Sequence, residues 1–363
     1  MSKFRRIGVL TSGGDAPGMN AAVRAVTRCA NANGVEVVGI YEGYKGLIEG
    51  NVKVFGPRDV SNIINLGGTS LYSARCDDFK EEWGMQKAKK TCEKYKIDGI
   101  VAIGGDGTFR GATDLSLRGI PCIGIPGTID NDITATEYSI GYDTAMNTVI
   151  EMVDRLRDTC ESHARCNVVE IMGRNAGYLA LNAGIAVGAT AICIREIPSS
   201  SDEEEIIARI EKARADGKRN FIIMVAEGMG SEFGPALTEK IEKVTEIETR
   251  FARLAHVVRG GSPSVRDRLM GTEMGAKAVE MLLSGQSNMV VCYRHGEIRT
   301  SEITWALALD KLFKSEYAGY KKADIEKLLA PYSAEDREIM HQFCATKLEK
   351  MKALYNIAME ISN

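Results

Sequence analysis

The sequence predicts an α/β protein built on doubly wound parallel sheets, with helices covering both faces. Short apolar runs of strand length alternate with amphipathic, helix-length segments along the whole chain. At 363 residues the chain is long for one core and natural for two such domains. Glycine-rich turns follow directly on several of the apolar runs, at the strand ends where open parallel sheets collect ligands.

Strands are expected over residues 6–10, 36–40, 99–103, 122–125, 167–171, 191–194, 220–226 and 288–293, each an apolar-dominated run. Helices are expected over 20–33, 85–96, 144–160, 202–215 and 271–284, among others, where apolar residues recur at helical spacing. Proline is sparse, with eight in the chain, and no low-complexity linker interrupts the alternation. Any domain boundary is therefore a crossover within it. Near the end, Ser333 with Asp336 three residues on reads as a capping box. Met340, Cys344, Leu348, Met351, Tyr355 and Ala358 then fall on one helical stripe. Such a helix packs either on its own subunit or against another.

Composition narrows the class. With 44% hydrophobic and 26% charged residues the chain is an ordinary folded protein. A net charge of −3 gives no reason to expect a nucleic-acid or membrane-surface partner. No apolar run approaches the roughly 18 residues of a membrane span. The basic start is followed only by Ile7, Gly8, Val9 and Leu10, too short a core for a signal peptide. Nine cysteines without a C-x-x-C pair suggest reduced thiols and a cytoplasmic location. Most of them read as small buried hydrophobes.

Three turns carry the chemistry. Thr11-Ser12-Gly13-Gly14-Asp15-Ala16-Pro17-Gly18 follows a strand and opens a helix, so its N–H groups and the helix dipole favour an anion. It is no Walker loop, because Met19-Asn20 stand where Lys-Ser/Thr would be. Gly104-Gly105-Asp106-Gly107-Thr108 resembles the signature of NAD kinases and diacylglycerol kinases, which speaks for a nucleoside triphosphate without naming the acceptor. Pro126-Gly127-Thr128-Ile129-Asp130-Asn131-Asp132 adds two more acids to Asp106. Phosphoryl transfer needs a phosphate cradle, an acid to hold Mg²⁺ and an acid to take a hydroxyl proton.

The third turn resembles the central motif of the 6-phosphofructokinases. The match continues through residues 13–20, Gly67-Gly68-Thr69 with Ser73-Ala74-Arg75, Met172-Gly173-Arg174 and Arg259-Gly260-Gly261-Ser262-Pro263, in family order and spacing. It covers roughly residues 5–312. It implies the phosphofructokinase fold, two Rossmann-like three-layer domains facing across a cleft. The expected division is 1–141 plus 257–307 for ATP, 142–256 plus 308–325 for the sugar phosphate, and a helical extension over 326–363. The tail past about Tyr320 is longer than in compact bacterial members.

The resemblance implies transfer from MgATP to the 1-hydroxyl of fructose 6-phosphate. Asp130 matches the general base, Thr128 a donor to the moving phosphoryl oxygens, and Asp106 the Mg²⁺ residue, with Asp132 in support. Gly14, Arg75, Cys76, Gly105, Gly107 and Thr108 match ATP contacts, with Gly14, Arg75 and Arg174 also assisting catalysis. The sugar site matches Thr128, Ile129, Asp130, Met172, Gly173, Arg174, Glu227, His256, Val257, Val258 and Arg259. Arg165 and Arg250 match residues that reach a neighbouring subunit's site, which implies a homotetramer, a dimer of dimers. Arginine suits a sugar phosphate because its planar fork binds oxygens in pairs.

Pyrophosphate-using members tend to carry Asp at Gly107 and Lys at Gly127, so this chain's two glycines favour ATP. A pyrophosphate enzyme and a silent sugar-phosphate-binding subunit are the rival readings. Arg24, Arg28, Arg157 and Lys218 match a family effector site. Asp216 stands there in place of a lysine and Thr190 in place of a glutamate, which implies a weak or altered response to ADP and phosphoenolpyruvate.

Overall fold

The computed structural model describes residues 4–362; Met1 to Lys3 of the basic start and Asn363 of the expected extension lie outside the described residues. The chain divides into two compact units. The first takes in the chain as far as Ile129, Ile133–Thr144 and Arg259–Asp310. The second takes in Asp130–Asp132, Ala145–Val258 and the chain from Lys311 onward.

The first unit begins β1 (Arg6–Ser12), α1 (Met19–Ala32), β2 (Glu36–Ile40), α2 (Gly43–Glu49), β3 (Val52–Phe55), α3 (Glu82–Tyr95), β4 (Gly99–Gly104), α4 (Asp106–Leu117) and β5 (Cys122–Pro126). The chain continues with α5 (Tyr142–His163), β6 (Cys166–Ile171), α6 (Tyr178–Ala186), β7 (Ala191–Cys193), α7 (Glu203–Ala215), β8 (Phe221–Ala226), α8 (Phe233–Thr245) and β9 (Thr249–Leu254). It ends with α9 (Val265–Leu283), β10 (Met289–Arg294), β11 (Glu297–Glu302), α10 (Ile303–Ser315), α11 (Lys322–Leu329) and α12 (Ala334–Ile361).

The first sheet has seven strands in the order β11-β10-β5-β4-β1-β2-β3. Its five central strands are parallel and buried on both faces, as their continuous apolar runs require. The chain leaves β1 towards β2 and returns on its other side as β4, so a topological switch lies between β1 and β4. The turns after these two strands are the first two glycine-rich turns. The expectation of purely parallel pairing fails at both edges, where β3 and β11 are antiparallel. At β11 the reason is local. His295 and Gly296 both take positive φ, 53° and 80°, and join β10 to β11 as a two-residue hairpin.

The second sheet has four parallel strands in the order β7-β8-β6-β9. Its core on one face joins Val168, Ile223, Val225 and Phe221 to Ile206 and Ile210 of α7 and Leu237 and Ile241 of α8. Asp202 caps α7 by accepting from the N–H groups of Glu204 and Glu205. The expected extension belongs to this second unit. Ser333 caps α12 by accepting from Asp336 N–H at 3.0 Å, while Asp336 accepts from its hydroxyl at 2.7 Å. Met340, Cys344, Met351 and Ala358 are buried within the chain itself, which settles the stripe as a packing face of its own subunit. No helix among the described residues is long and apolar enough to cross a membrane.

Between β5 and α5 lies a stretch, residues 127–141, with no helix or strand of its own. Asp267 of α9, fully buried, holds its end. The carboxylate accepts from Tyr138 Oη at 2.5 Å and Gly141 N–H at 2.6 Å on Oδ1. On Oδ2 it accepts from the Thr144 N–H at 2.9 Å and its hydroxyl at 2.5 Å. Burial pushes this carboxyl above its ordinary value, and the four donors pull the other way. Asp267→Ala strands those donors, and Asp267→Asn turns an NH₂ towards two of them. Both variants are expected to lose about 3–5 kcal/mol of stability, read from urea unfolding midpoints.

Candidate active site

In the first unit the candidate residues gather at the carboxyl ends of β1, β4 and β5. Gly13 has φ of 86°, which favours glycine, and a Cβ on Gly14 would meet Arg259 Nη1 at 2.7 Å, so a side chain there would displace the arginine's tip. Arg259 is itself fixed by donating to the Asp15 carbonyl at 3.3 Å. Thr108 is buried, and its hydroxyl donates to the Ser12 carbonyl at 2.9 Å. It thereby fastens the second glycine turn to the first, a structural task beside any ligand contact. The Gly127 N–H donates to the Gly104 carbonyl at 3.0 Å and brings the third turn into line.

Gly105 starts α4 without any side-chain cap, so the first-turn N–H groups of this helix suit an anion. A Cβ at Gly105 or Gly107 would meet no heavy atom within 4 Å. The protein itself does not require these glycines; the room is available to a ligand. Asp106 accepts from the Gly107 N–H at 2.7 Å on Oδ1 and pairs with Arg110 at 2.7 Å on Oδ2. The described residues contain no cluster of three or more metal-ligating side chains. One hard carboxylate beside an anion-binding turn still fits a Mg²⁺ ion that arrives with phosphates and keeps its waters. Arg75 is exposed and Cys76 half-buried. Burial raises the Cys76 thiol, which suits a wall better than a nucleophile.

Thr128, Ile129, Asp130, Asn131 and Asp132 are all buried. Ile129 is fully so and can offer a ligand only its backbone. Asn131 takes φ of 50° in the left-handed region, a mark of a tightly determined turn. Asp130–Asp132, expected within the first domain, cluster with the second unit instead. The tie is an ion pair between Asp132 Oδ2 and Lys314 Nζ at 3.1 Å.

In the second unit Met172, Gly173, Arg174, Glu227, His256 and Val257 stand at the carboxyl ends of β6, β8 and β9, whereas Arg165 and Arg250 stand at the amino ends of β6 and β9. Glu227 follows β8, and its Oε2 accepts from the N–H groups of Gly173 at 3.2 Å and Arg174 at 2.9 Å. Gly173 (φ 155°) and Arg174 (φ 57°) turn sharply there, leaving the Arg174 side chain exposed. His256 and Val257 are exposed after β9, whereas Val258 is fully buried and offers only backbone. Arg165 and Arg250 share one carboxylate: Glu248 pairs with Arg165 Nε at 2.6 Å and with Arg250. The Arg165 hydrogen bond holds Glu248 below the usual carboxylate range. Neither Glu248 nor Lys314 was singled out from the sequence. A charged residue on the buried face of an apolar helix is the signal that marks Lys314.

Of the expected effector residues, Arg24 and Arg28 lie one turn apart on α1. Arg157, in the second unit, donates to Asn220 Oδ1 at 3.0 Å and to the Val187 carbonyl. Lys218 donates to Thr190 Oγ1 at 3.3 Å and to the Ser362 carbonyl at 3.2 Å. Burial, then the neighbouring Arg157 charge, lowers the Lys218 ammonium from its ordinary value. Thr190 is buried, and its carbonyl accepts from Ser362 Oγ at 3.4 Å. The end of α12 thus sits where Lys218 and Thr190 meet.

Comparison with known proteins gives one answer. The sequence profile described as Phosphofructokinase matches residues 6–282. The ATP-dependent 6-phosphofructokinase of Bacillus pumilus is 52% identical over 297 residues, 81% of this chain and 91% of that one. That of Bacillus subtilis is 50% identical over 302 residues, 83% of this chain and 93% of that one. Among solved structures, phosphofructokinase from Saccharomyces cerevisiae superposes with a TM-score of 0.82 at 31% identity. The match covers 95% of this chain but only half the length of the yeast chain. On profile, relatives and fold alike, the chain belongs to the phosphofructokinase family.

Proposed function

We propose that the protein transfers the γ-phosphoryl group of ATP to the 1-hydroxyl of fructose 6-phosphate, giving fructose 1,6-bisphosphate and ADP. The observation that carries this reading is the buried Thr128–Asp132 turn held beside two glycine turns, in a chain about half identical to ATP-dependent 6-phosphofructokinases. The sugar oxygen attacks the γ-phosphorus as the bond to the bridging oxygen of ADP breaks. Asp130 accepts the hydroxyl proton. A carboxylate is a far weaker base than an alkoxide, so Asp130 works mainly by orienting the hydroxyl and takes the proton late. Thr128 donates to the moving phosphoryl oxygens, and Arg75 and Arg174 offset charge developing on them.

Gly14, Gly105, Gly107 and the amides opening α4 cradle the donor's phosphates, with Cys76 as a wall. Mg²⁺, when bound at Asp106, neutralises charge on the β- and γ-phosphates. Met172, Gly173, Arg174, Glu227, His256 and Arg259 hold the sugar phosphate, Glu227 accepting from its hydroxyls, with Ile129, Val257 and Val258 lining the approach. Arg165, partly buried, and Arg250, exposed, share one carboxylate, and in this reading they serve a neighbouring subunit. That use implies a homotetramer arranged as a dimer of dimers, acting in the cytoplasm.

At the effector position, Thr190 and Lys218 already bond to Ser362, Asp216 removes a cation, and an acid for a second Mg²⁺ is missing. We infer a weak response to ADP and phosphoenolpyruvate. Velocity at low fructose 6-phosphate is expected to change by less than about fivefold on adding ADP, below the usual range of allosteric coupling. Strong ADP activation would contradict it.

Two substitutions test the chemistry in a coupled assay. Asp130→Ser is expected to lower kcat about 10²- to 10⁴-fold with the KM for sugar little changed, because the base engages chiefly in the transition state. Turnover near the parent's rate would remove Asp130 from that role. Gly107→Asp leaves the fold intact, since its side chain enters open space. It is expected to raise the KM for ATP by about tenfold or more through charge repulsion with the donor's phosphates. An unchanged KM for ATP would displace the donor from this turn.

A further inference from the structure

The reaction's base sits on a stretch that has no hydrogen-bond ladder of its own, and one helix reaches it twice. From α10, Asp310 accepts the backbone N–H of Thr134. One turn later Lys314 pairs with Asp132 at 3.1 Å, with side chains 13% and 5% exposed. Asp310 is itself buried. Residues 310 and 314 lie on one helix face by spacing, so α10 grips the chain on either side of residue 133. Only Asn131, in a left-handed conformation, separates Asp132 from Asp130. A displacement of Asp132 is therefore passed to Asp130 through a single constrained residue.

Stability is a poor explanation for such a pair. A buried ion pair gains little over apolar residues of the same volume, and its better-attested use is to fix a geometry.

We propose that Lys314 is a positioning residue for phosphoryl transfer, holding Asp132 so that the turn at Asn131 aims Asp130 at the sugar hydroxyl. This rests on the phosphofructokinase reading above. The test measures kcat, both KM values and the thermal midpoint for the full-length parent and for Lys314→Met, Lys314→Arg, Asp132→Asn and the Lys314→Met/Asp132→Asn double variant. A misplaced catalytic group costs up to about 100-fold, so Lys314→Met is expected to lose about 10- to 100-fold in kcat with both KM values within about twofold. Lys314→Arg is expected to recover to within about threefold of the parent, because the guanidinium can pair with the same carboxylate. The double variant is expected to be no slower than Asp132→Asn alone, as two changes to one interaction are not additive. The inference is overturned if Lys314→Met turns over within about twofold of the parent, if Lys314→Arg is as slow as Lys314→Met, or if the double variant's losses multiply. Should Lys314→Met fail to fold, the Arg and double variants decide, since neither leaves Asp132 as a carboxylate facing an uncharged residue 314. A parent that does not phosphorylate fructose 6-phosphate from ATP sinks the function itself, a result distinct from an active parent indifferent to residue 314.

Discussion

An irregular segment must be held as still as a strand: that constraint governs the rest of the molecule. Residues 127–141 form a single bridge, Gly127 with Ile140, and a few bonds of their own, such as Ser139 Oγ to the Thr128 carbonyl, and lean for the rest on partners supplied from elsewhere. The Gly104 carbonyl, Asp267, Asp310 and the Tyr293 backbone come from β4, α9, α10 and β10. Each buried carboxylate among them is tolerable because it is met by donors, and the loop donors are tolerable because they find a carboxylate or a backbone carbonyl. Three of the four elements follow the loop by more than 120 residues, so the segment's shape exists only in the completed fold.

Both units apply one rule of open parallel sheets. Most of the candidate ligand-binding groups sit where the strands end, because side chains within buried strands are committed to the core. In the first unit the groups are mostly backbone amides exposed by glycine, suited to a polyanion approaching closely. In the second they are longer side chains, Glu227, Arg174 and His256, suited to a ligand of hydroxyls and one phosphate.

What the sequence disclosed follows the same physics. The eight expected strands were legible because burial on both faces demands an unbroken apolar run. The three that escaped, β3, β9 and β11, read VKVF, TRFARL and EIRTSE, with charge interleaved, as edge strands can afford to be. The glycine turns were legible because glycine clusters stand out after an apolar run, and at Gly13 and Gly18 the backbone takes positive φ, a conformation that favours glycine. Asp132 was visible as an acid, but its partner Lys314 lies 182 residues away, and no local pattern announces such a pairing. Thr108 was read as a ligand contact, while its hydroxyl also fastens two turns. A hydroxyl with several available acceptors does not reveal its choice in the primary structure.

One consequence concerns the border of the second sheet. β9 ends the strand order, so one side of its ladder lacks a neighbouring strand within this sheet. Such a rim invites foreign strands to add on, and charge along it discourages them. Arg250 and Arg253 are the exposed residues of this strand. Two guanidinium groups along this rim make it a poor template for a further strand, since an added chain would have to pair beside their charges.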